Sequence, residues 1–354
     1  MNLFILNEKF ESVYVLNDFE SFIWTDRYNE AGEFEVYAYP SPGLIEYGEF
    51  GSYLWFSETN RLMIIEYFER TSNAETGDRV AIKGRSLEWI LTRRIVWTDT
   101  IIDDTLQNGI KSLINSAIIN PTIADRKISN FIFKDTDDPA ILNMTFNDQF
   151  LGNSLYDVIK EACKRHGVGF RILLDKSFNF VFELYYGKDR SYSQIALPQV
   201  TFSRRLYSNI NSSEYIENWE DYKNVVLVSG NEGSDVQTFI SVGTESGLNR
   251  RETFINASGV SGKEVTHAQF IAALEEEGNQ ALSDNKIAKA FDGSVDANRP
   301  FIYGEDYFLG DLVEVEDDFG VQGKFRISEF MWNYSNNNVS CYPTFESLFE
   351  KENE

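Results

Sequence analysis

Between Gly32 and Tyr39 polar and apolar side chains alternate, with Phe34, Val36 and Ala38 set against Glu33, Glu35 and Tyr37. That is the period of a strand with one covered face. Pro40-Ser41-Pro42-Gly43 ends it. Leu3–Leu6, Ser12–Val15 and Ser21–Thr25 are shorter apolar or alternating runs ahead of it. Gly51–Phe56, Arg61–Arg70 and Arg79–Gly84 follow with polar turns between them. Ser86–Leu91 predicts a short helix capped by the Ser86 hydroxyl. After Trp97 the period changes. Thr105–Ile119 places Leu106, Ile110, Leu113, Ile114 and Ala117 on one helical face, with Pro121 just beyond. Asn153–His166 does the same with Leu155, Val158, Ile159, Ala162 and Cys163, ahead of Gly167. Val168–Leu174 and Phe178–Tyr186 then read as strands around an Asp175-Lys176-Ser177 turn.

Residues 206–242 return to strands, most clearly Asn224–Ser229. From Gly243 to Arg299 the pattern is interrupted by a strand at Arg250–Asn256 and a helix from His267 to Ala290, weakened by Gly278. A meander closes the chain. Leu309-Gly310-Asp311 reads as a tight turn, because glycine tolerates a positive φ. In the strand that follows, Leu312 and Glu314 share one face and Val313 and Val315 the other. In Lys324–Trp332, Phe325, Ile327 and Met331 alternate with Arg326, Ser328 and Phe330. Ser335–Asn338 is a turn and Val339–Tyr342 a third strand, and Glu350–Glu354 reads as a frayed polar tail.

Gly51–Leu87 and Gly310–Leu348 echo one another. Each starts at glycine with a short strand, passes through Ile64-Ile65-Glu66-Tyr67 or Ile327-Ser328-Glu329-Phe330, and reaches Arg85-Ser86-Leu87 or Glu346-Ser347-Leu348. The fold class expected is α+β, mainly β, with two related small β-barrel domains, an α+β domain and a helix-containing insertion. The first barrel covers 1–100, the α+β domain 101–205, the second barrel 206–242 together with 300–349, and the insertion 243–299.

The chain has 354 residues, 42% of them hydrophobic and 15% aromatic, with 28 Phe and 18 Tyr against 7 Pro. That suits sheets, on which rings pack well. Its 56 acidic and 32 basic residues give a formal charge of −24. Such a surface argues against gripping nucleic-acid phosphates, yet it suits a channel that polyanions traverse without adhering. Met1–Phe10 lacks the basic start of a secretory signal, and no stretch approaches the roughly 20 apolar residues of a membrane span. Cys163 and Cys341 carry no spacing motif and read as free buried thiols made in a reducing cytoplasm.

Catalytic patterns are sparse. His166 and His267, the only histidines, sit in helical stretches outside any metal-binding motif. Gly259–Glu264 lacks the spacing and hydroxyl of a phosphate loop, Asp135–Asp138 lacks the remainder of a calcium loop, and Glu275–Glu277 reads as a wet helix face. No cofactor, metal or enzymatic activity is expected. Two rival classes stay open: a carboxylate-based wall hydrolase, and a carbohydrate-binding adhesin suggested by the Trp and Tyr content.

Five stretches occur in a telling order: Trp24–Phe34, Lys83–Arg94, Asn224–Val228, Gly247–Glu252 and Tyr303–Val315. Together they make the chain resemble the baseplate hub proteins of long-tailed bacteriophages. This siphophage family is related to the N-terminal part of tail-associated lysins, and its fold is similar to contractile-tail hubs and the type VI secretion spike base. The resemblance implies a homotrimer whose two barrels per chain form a pseudo-sixfold ring under the tail tube. It implies as partners a distal tail protein, a tape-measure protein and receptor-binding or fibre components, with DNA passing through unbound. Location would be the virion tail tip, after synthesis in the bacterial host. Interface candidates are Arg93, Arg94, Arg250, Arg251, Gly304, Asp306, Gly310 and Asp311, with Arg93 and Arg94 expected to bind a neighbouring copy. Lumen candidates are Glu314, Glu316, Asp317 and Asp318. Larger relatives continue into peptidoglycan-cleaving domains, whereas this chain stops at Glu354, so intrinsic wall hydrolysis is not expected.

Overall fold

The computed structural model describes residues 2–75, 77–232, 237–262, 265–295, 300–316, 322–335 and 338–347. Its first part is a run of strands: β1 (Leu3–Leu6), β2 (Ser12–Leu16), β3 (Ser21–Arg27) and β4 (Glu33–Ala38). After helix α1 (Pro42–Tyr47) come β5 (Tyr53–Phe56), β6 (Leu62–Thr71) and β7 (Arg79–Ser86). In β4, Phe34, Val36 and Ala38 face the core as the alternation requires. Pro40–Gly43 stops the strand but also starts α1, since Ser41 Oγ accepts the Leu44 N–H and Pro42 sits in the first turn. Leu87–Arg93 is a 3₁₀ helix that Ser86 does not cap. Its hydroxyl instead accepts the Gly32 N–H at 2.8 Å, tying the β3–β4 loop to the helix start.

A second unit follows, made of β8 (Thr100–Thr105), α2 (Leu106–Ile114), β9 (Phe131–Lys134), α3 (Pro139–Leu142), β10 (Thr145–Phe150), α4 (Leu155–His166), β11 (Gly169–Leu174) and β12 (Phe180–Tyr185). Thr105 and Ser154 cap α2 and α4, whose apolar faces are the ones the sequence predicts. Gly167 ends α4 in the left-handed conformation. β8 pairs with β10, while β12 lies between β11 and β9. The core here also takes in Leu6, Ile64, Leu87 and Ile90 from the first part.

The remaining strands are β13 (Thr201–Ser203), β14 (Ile210–Asn218), β15 (Val225–Asn231), β16 (Gln237–Val242) and β17 (Glu252–Ser261). After helix α5 (His267–Asp284) come β18 (Ala288–Val295), β19 (Leu312–Glu316), β20 (Gln322–Ser335) and β21 (Asn338–Ser347). α5 ends at Asp284 rather than Ala290; residues 288–290 belong to a strand that pairs with both β14 and β21. The boundary expected at 243 cuts through a sheet, because β15 lies between β16 and β17 and packs with α5 on a core of its own. Gly278 is what lets α5 approach this sheet: a Cβ there would meet Val242 Cγ2 at 2.6 Å.

Among the described residues thirteen strands join in one sheet. Its order is β14-β18-β21-β20-β3-β4-β7-β6-β5-β1-β2, with β19 on β20 and β13 on β19. The chain's two ends meet where Ser21–Arg27 of β3 pairs antiparallel with Glu329–Ser335 of β20. Both halves share one aromatic core: Phe22, Trp24, Phe34 and Phe56 pack with Phe330, Trp332 and Phe345. Along β20 the buried face is Phe325 and Ile327, then Phe330 and Trp332. The alternation expected from sequence put Phe330 on the other face. A bulge between Ile327 and Glu329 inserts one residue and flips it.

The echo between the halves extends to backbone detail. Gly51 and Gly310 both have positive φ, +90° and +87°. Gly51 N–H donates to Ile65 O (3.0 Å) and Ile65 N–H to Ser52 O (2.8 Å). Gly310 N–H donates to Ile327 O (2.8 Å) and Ile327 N–H to Asp311 O (3.0 Å). Directly after Ile65, as after Ile327, comes a bulge. Ile65 therefore corresponds to Ile327, one residue from the sequence match of Ile64 with Ile327. Strand neighbours agree as well: β3-β4-β7-β6-β5 in the first half runs parallel to β14-β18-β21-β20-β19 in the second.

Candidate assembly site

Where the two halves and the α+β unit meet, one tyrosine serves all three. Tyr28, in the β3–β4 loop, donates its hydroxyl to Gly167 O (3.1 Å) and accepts the Gly187 N–H (3.3 Å) and Arg326 Nη1 (3.3 Å). Burial pushes its phenol far up, so it is a neutral hydrogen-bonding group at any physiological pH. Arg326 is buried between the Tyr28 and Tyr186 rings, and its Nη1 also donates to Gly310 O at 2.9 Å. Gly310 must be glycine twice over: φ is +87°, and a Cβ would sit 2.2 Å from the Tyr28 ring. Beside it the buried Asp311 carboxylate accepts Arg190 Nε (2.7 Å), Lys188 N–H (2.7 Å) and Phe308 N–H (3.1 Å). That locks the 187–200 segment onto the start of the last meander.

The seam between β3 and β20 carries its own charges. Arg27 Nε lies 2.7 Å from Glu329 Oε2 on the facing strand, and its Nη2 lies 2.7 Å from Glu33 Oε1. Next to it Asp26 is wholly buried, accepting Trp24 Nε1 at 2.9 Å. Burial raises its carboxyl to about 6, against the opposing pull of Arg61. Arg61 itself bonds the buried Glu88, whose Oε1 also takes the Ile172 N–H. Asp26, Arg61, Arg171, Tyr185, Lys188 and Tyr303 line a cavity of about 630 Å³ at this junction. It brings cations and carboxylates together, and among the described residues no group of His, Cys, Asp and Glu could hold a metal ion.

Of the sequence-predicted residues, Gly310 and Asp311 come together in this knot. Gly304 and Asp306 lie close by in the Ile302–Tyr307 turn, which Asp306 Oδ2 closes by accepting the Ile302 N–H at 2.8 Å. The arginines lie elsewhere. Arg94 donates to the carbonyls of Arg126 (3.0 Å) and Arg93 (2.9 Å), so it ties the 3₁₀ helix to the α+β unit of its own chain; Arg93 is exposed. Arg250 bonds Glu252 and the Glu245 carbonyl within the β15–β17 unit, and Arg251 bonds the carbonyl of Trp219, just after β14. Glu314 is 8% exposed, covered by the 188–200 segment, and accepts the Tyr192 N–H, while Glu316 is half-buried beside Ser203. Asp317 and Asp318 lie outside the described residues.

Sequence reasoning passed over Tyr28, Arg326, Arg190 and the Arg27–Glu329 pair. Tyr28 and Arg27 stood inside the first motif. Arg190 carried no local signal, since its partner is 121 residues away. A second docking point was equally hidden. Arg165 of α4 reaches Glu276 (2.5 Å) and Gln280 (2.7 Å) of α5, with Asp148 of β10 at 3.8 Å. Burial, reinforced by Glu277, raises Asp148 to about 7; burial likewise pushes Glu277 up and His166 down.

This architecture is found in tail proteins of prophages. The 43 kDa tail protein of prophage MuSo2 from Shewanella oneidensis superposes with a TM-score of 0.62 at 12% identity, over 98% of each chain. A Neisseria meningitidis tail protein gives 0.60 at 12% identity over 98% of this chain and 96% of its own. Prophage tail protein gp18 of Listeria monocytogenes gives 0.57 at 14%, over 98% and 95%. At these identities the likeness shows the fold. No curated protein matches the sequence. The family is set by a model that matches residues 2–345: the chain belongs to the Siphovirus ReqiPepy6 Gp37-like proteins, a family of siphovirus tail proteins.

Proposed function

We propose that this tail protein is the hub of the tail tip, a homotrimer whose six half-chain repeats form a ring that continues the tail tube. The observation that carries the reading is the register-level repeat. Two segments with few identities share a turn glycine of positive φ, a reciprocal pair of backbone hydrogen bonds and a bulge after the corresponding isoleucine. Two equivalent units per chain let three chains match a sixfold tube, because symmetry decides which surfaces can pair. Each half would curl as a small barrel, with the α+β unit and the β15–β17–α5 unit standing outside the ring.

The distal tail protein would sit above, the tape-measure protein in the lumen, and receptor-binding or fibre components around the rim. The role is structural rather than catalytic. A chain of formal charge −24 supports a wall that DNA passes without adhering. Glu316, Asp317 and Asp318, at and beyond the end of β19, are the acidic run proposed for the lumen. Solution mass tests the stoichiometry: three copies are expected on concentration, and a stable dimer would contradict it.

A further inference from the structure

The repeat has a consequence for the two strand edges it leaves open. Within one chain, β20 is forked. Its first part, Gln322–Arg326, pairs with β19, and its last part, Glu329–Ser335, pairs with β3, with the bulge between them. β6 has the same first branch: Leu62–Ile64 pairs with β5, and a bulge follows Ile65. Its second branch, Tyr67–Thr71, pairs with β7 on one side, and no partner takes the other side among the described residues. In the second half β14 stands where β3 stands in the first. Tyr215 faces Phe291 as Trp24 faces Phe34, and Ile216 faces Ala290 as Thr25 faces Glu33. β14 is the end of the sheet path, so its far edge is also unpaired among the described residues.

We propose that β14 of one copy pairs antiparallel with Tyr67–Thr71 of the next copy, reproducing between chains the β3–β20 seam found within each chain. This rests on the ring reading and supplies the residues that would close it. The register follows from the repeat. Trp24 faces Trp332 and Asp26 faces Phe330; the corresponding pairs are Tyr215 with Arg70, and Glu217 with Phe68. Glu214 then faces Thr71, and Asn218 faces Tyr67.

Three observations favour a second copy as the occupant. Both edges belong to the same chain and differ from each other, so copies join head to tail, the arrangement that closes into rings. Most residues at both edges are exposed, including Tyr67 at 46% and Ile216 at 44%, while Phe68 and Tyr215 are half-buried against the core, and an open strand edge offers a row of unused backbone donors and acceptors. Charge fits as well. Arg70 meets only the Phe68 ring and has no acidic partner among the described residues, and in this register Glu217 of the neighbour lies diagonally beside it on the same face.

The test is a cysteine pair in the full-length chain, Arg70→Cys with Tyr215→Cys, oxidised at increasing protein concentration and read on a non-reducing gel with native mass. Facing positions are within disulfide reach. The expected result is an inter-chain cross-link with a ceiling at three chains, lost in the control pair Arg70→Cys with Ile216→Cys, because a one-residue slip points the side chain to the other face. A trimer without the 70–215 cross-link overturns the pairing and leaves the ring. A cross-linked ladder with no three-chain ceiling supports the pairing and overturns the ring. A chain that stays monomeric without cross-links at every concentration also overturns the pairing.

Discussion

Arg27 and Glu329 stand opposite one another on the two strands that join the halves of the chain, 302 residues apart in sequence and 2.7 Å apart at Nε and Oε2. Glu33 flanks the same guanidinium. With only 22% of the Arg27 side chain exposed, Arg27→Ala leaves Glu329 without its cation and Glu33 with Arg85 alone, at 3.9 Å. A loss of about 1–3 kcal/mol in unfolding free energy is expected. A double-mutant cycle with Glu329→Ala should show coupling. Additive single changes would mean that the seam is held by its backbone ladder and apolar face alone.

Asp311 should matter more. Its carboxylate satisfies a buried arginine and two backbone N–H groups at once. Asp311→Ala strands all three, for an expected loss of about 3–5 kcal/mol, whereas Asp311→Asn keeps an acceptor and should lose less. Denaturant unfolding of the two variants checks the order. Equal losses would show that Arg190 finds another partner.

Asp26 supplies a pH signature. Its carboxyl is raised in the fold from an ordinary value of 3.8 to about 6, so the folded state holds the proton more tightly than the unfolded chain. The stability this contributes is fully present below about pH 4 and is lost as pH rises through 6. Asp26→Asn, which keeps an acceptor for Trp24 Nε1, should therefore raise the melting temperature at pH 8 relative to the parent. It should also flatten the pH dependence between 4 and 7, with a gain of about 1–3 kcal/mol at the alkaline end. A variant less stable than the parent at pH 8 would show that the charge is needed to balance Arg61.

The α5 docking face obeys the same sign. Asp148, raised to about 7 between Arg165, Glu276 and Glu277, favours the docked state when protonated. As pH rises from 6 to 8.5, amide exchange in α5 and β10 should increase beyond the intrinsic rate of exchange. Asp148→Asn should remove that excess. Unchanged protection of α5 in the parent across this range would mean that the apolar contacts of Phe270 and Ala273 decide docking.

Strand positions were readable where one face is covered and the other wet, as in β4, and helices where capping residues flanked an apolar stripe, as in α2 and α4. The same local rules misled in three places. Periodicity reads β20 as one continuous alternation, although the Ser328 bulge changes its phase. The apolar stripe of α5 runs on in sequence into 288–290, whose strand character comes from pairing with β14 and β21 rather than from propensity. β15 and β16 read as part of the same unit as the last meander, because strands carry no label for the sheet they join. The site was half legible. Gly310 and Asp311 announce a turn, but their partners Tyr28, Arg326 and Arg190 lie 16 to 298 residues from their contacts in the knot. Arg94 reads as an exposed anchor in sequence, but its guanidinium is taken up by the Arg126 carbonyl, 32 residues away.

The ring is the central claim, and cryo-electron microscopy of intact tails with this chain located by a label tests it most directly. Three copies around the tube axis, showing six equivalent repeats with Glu316 toward the lumen, are predicted. The chain lying off the axis, or present in a copy number other than three, would contradict the account.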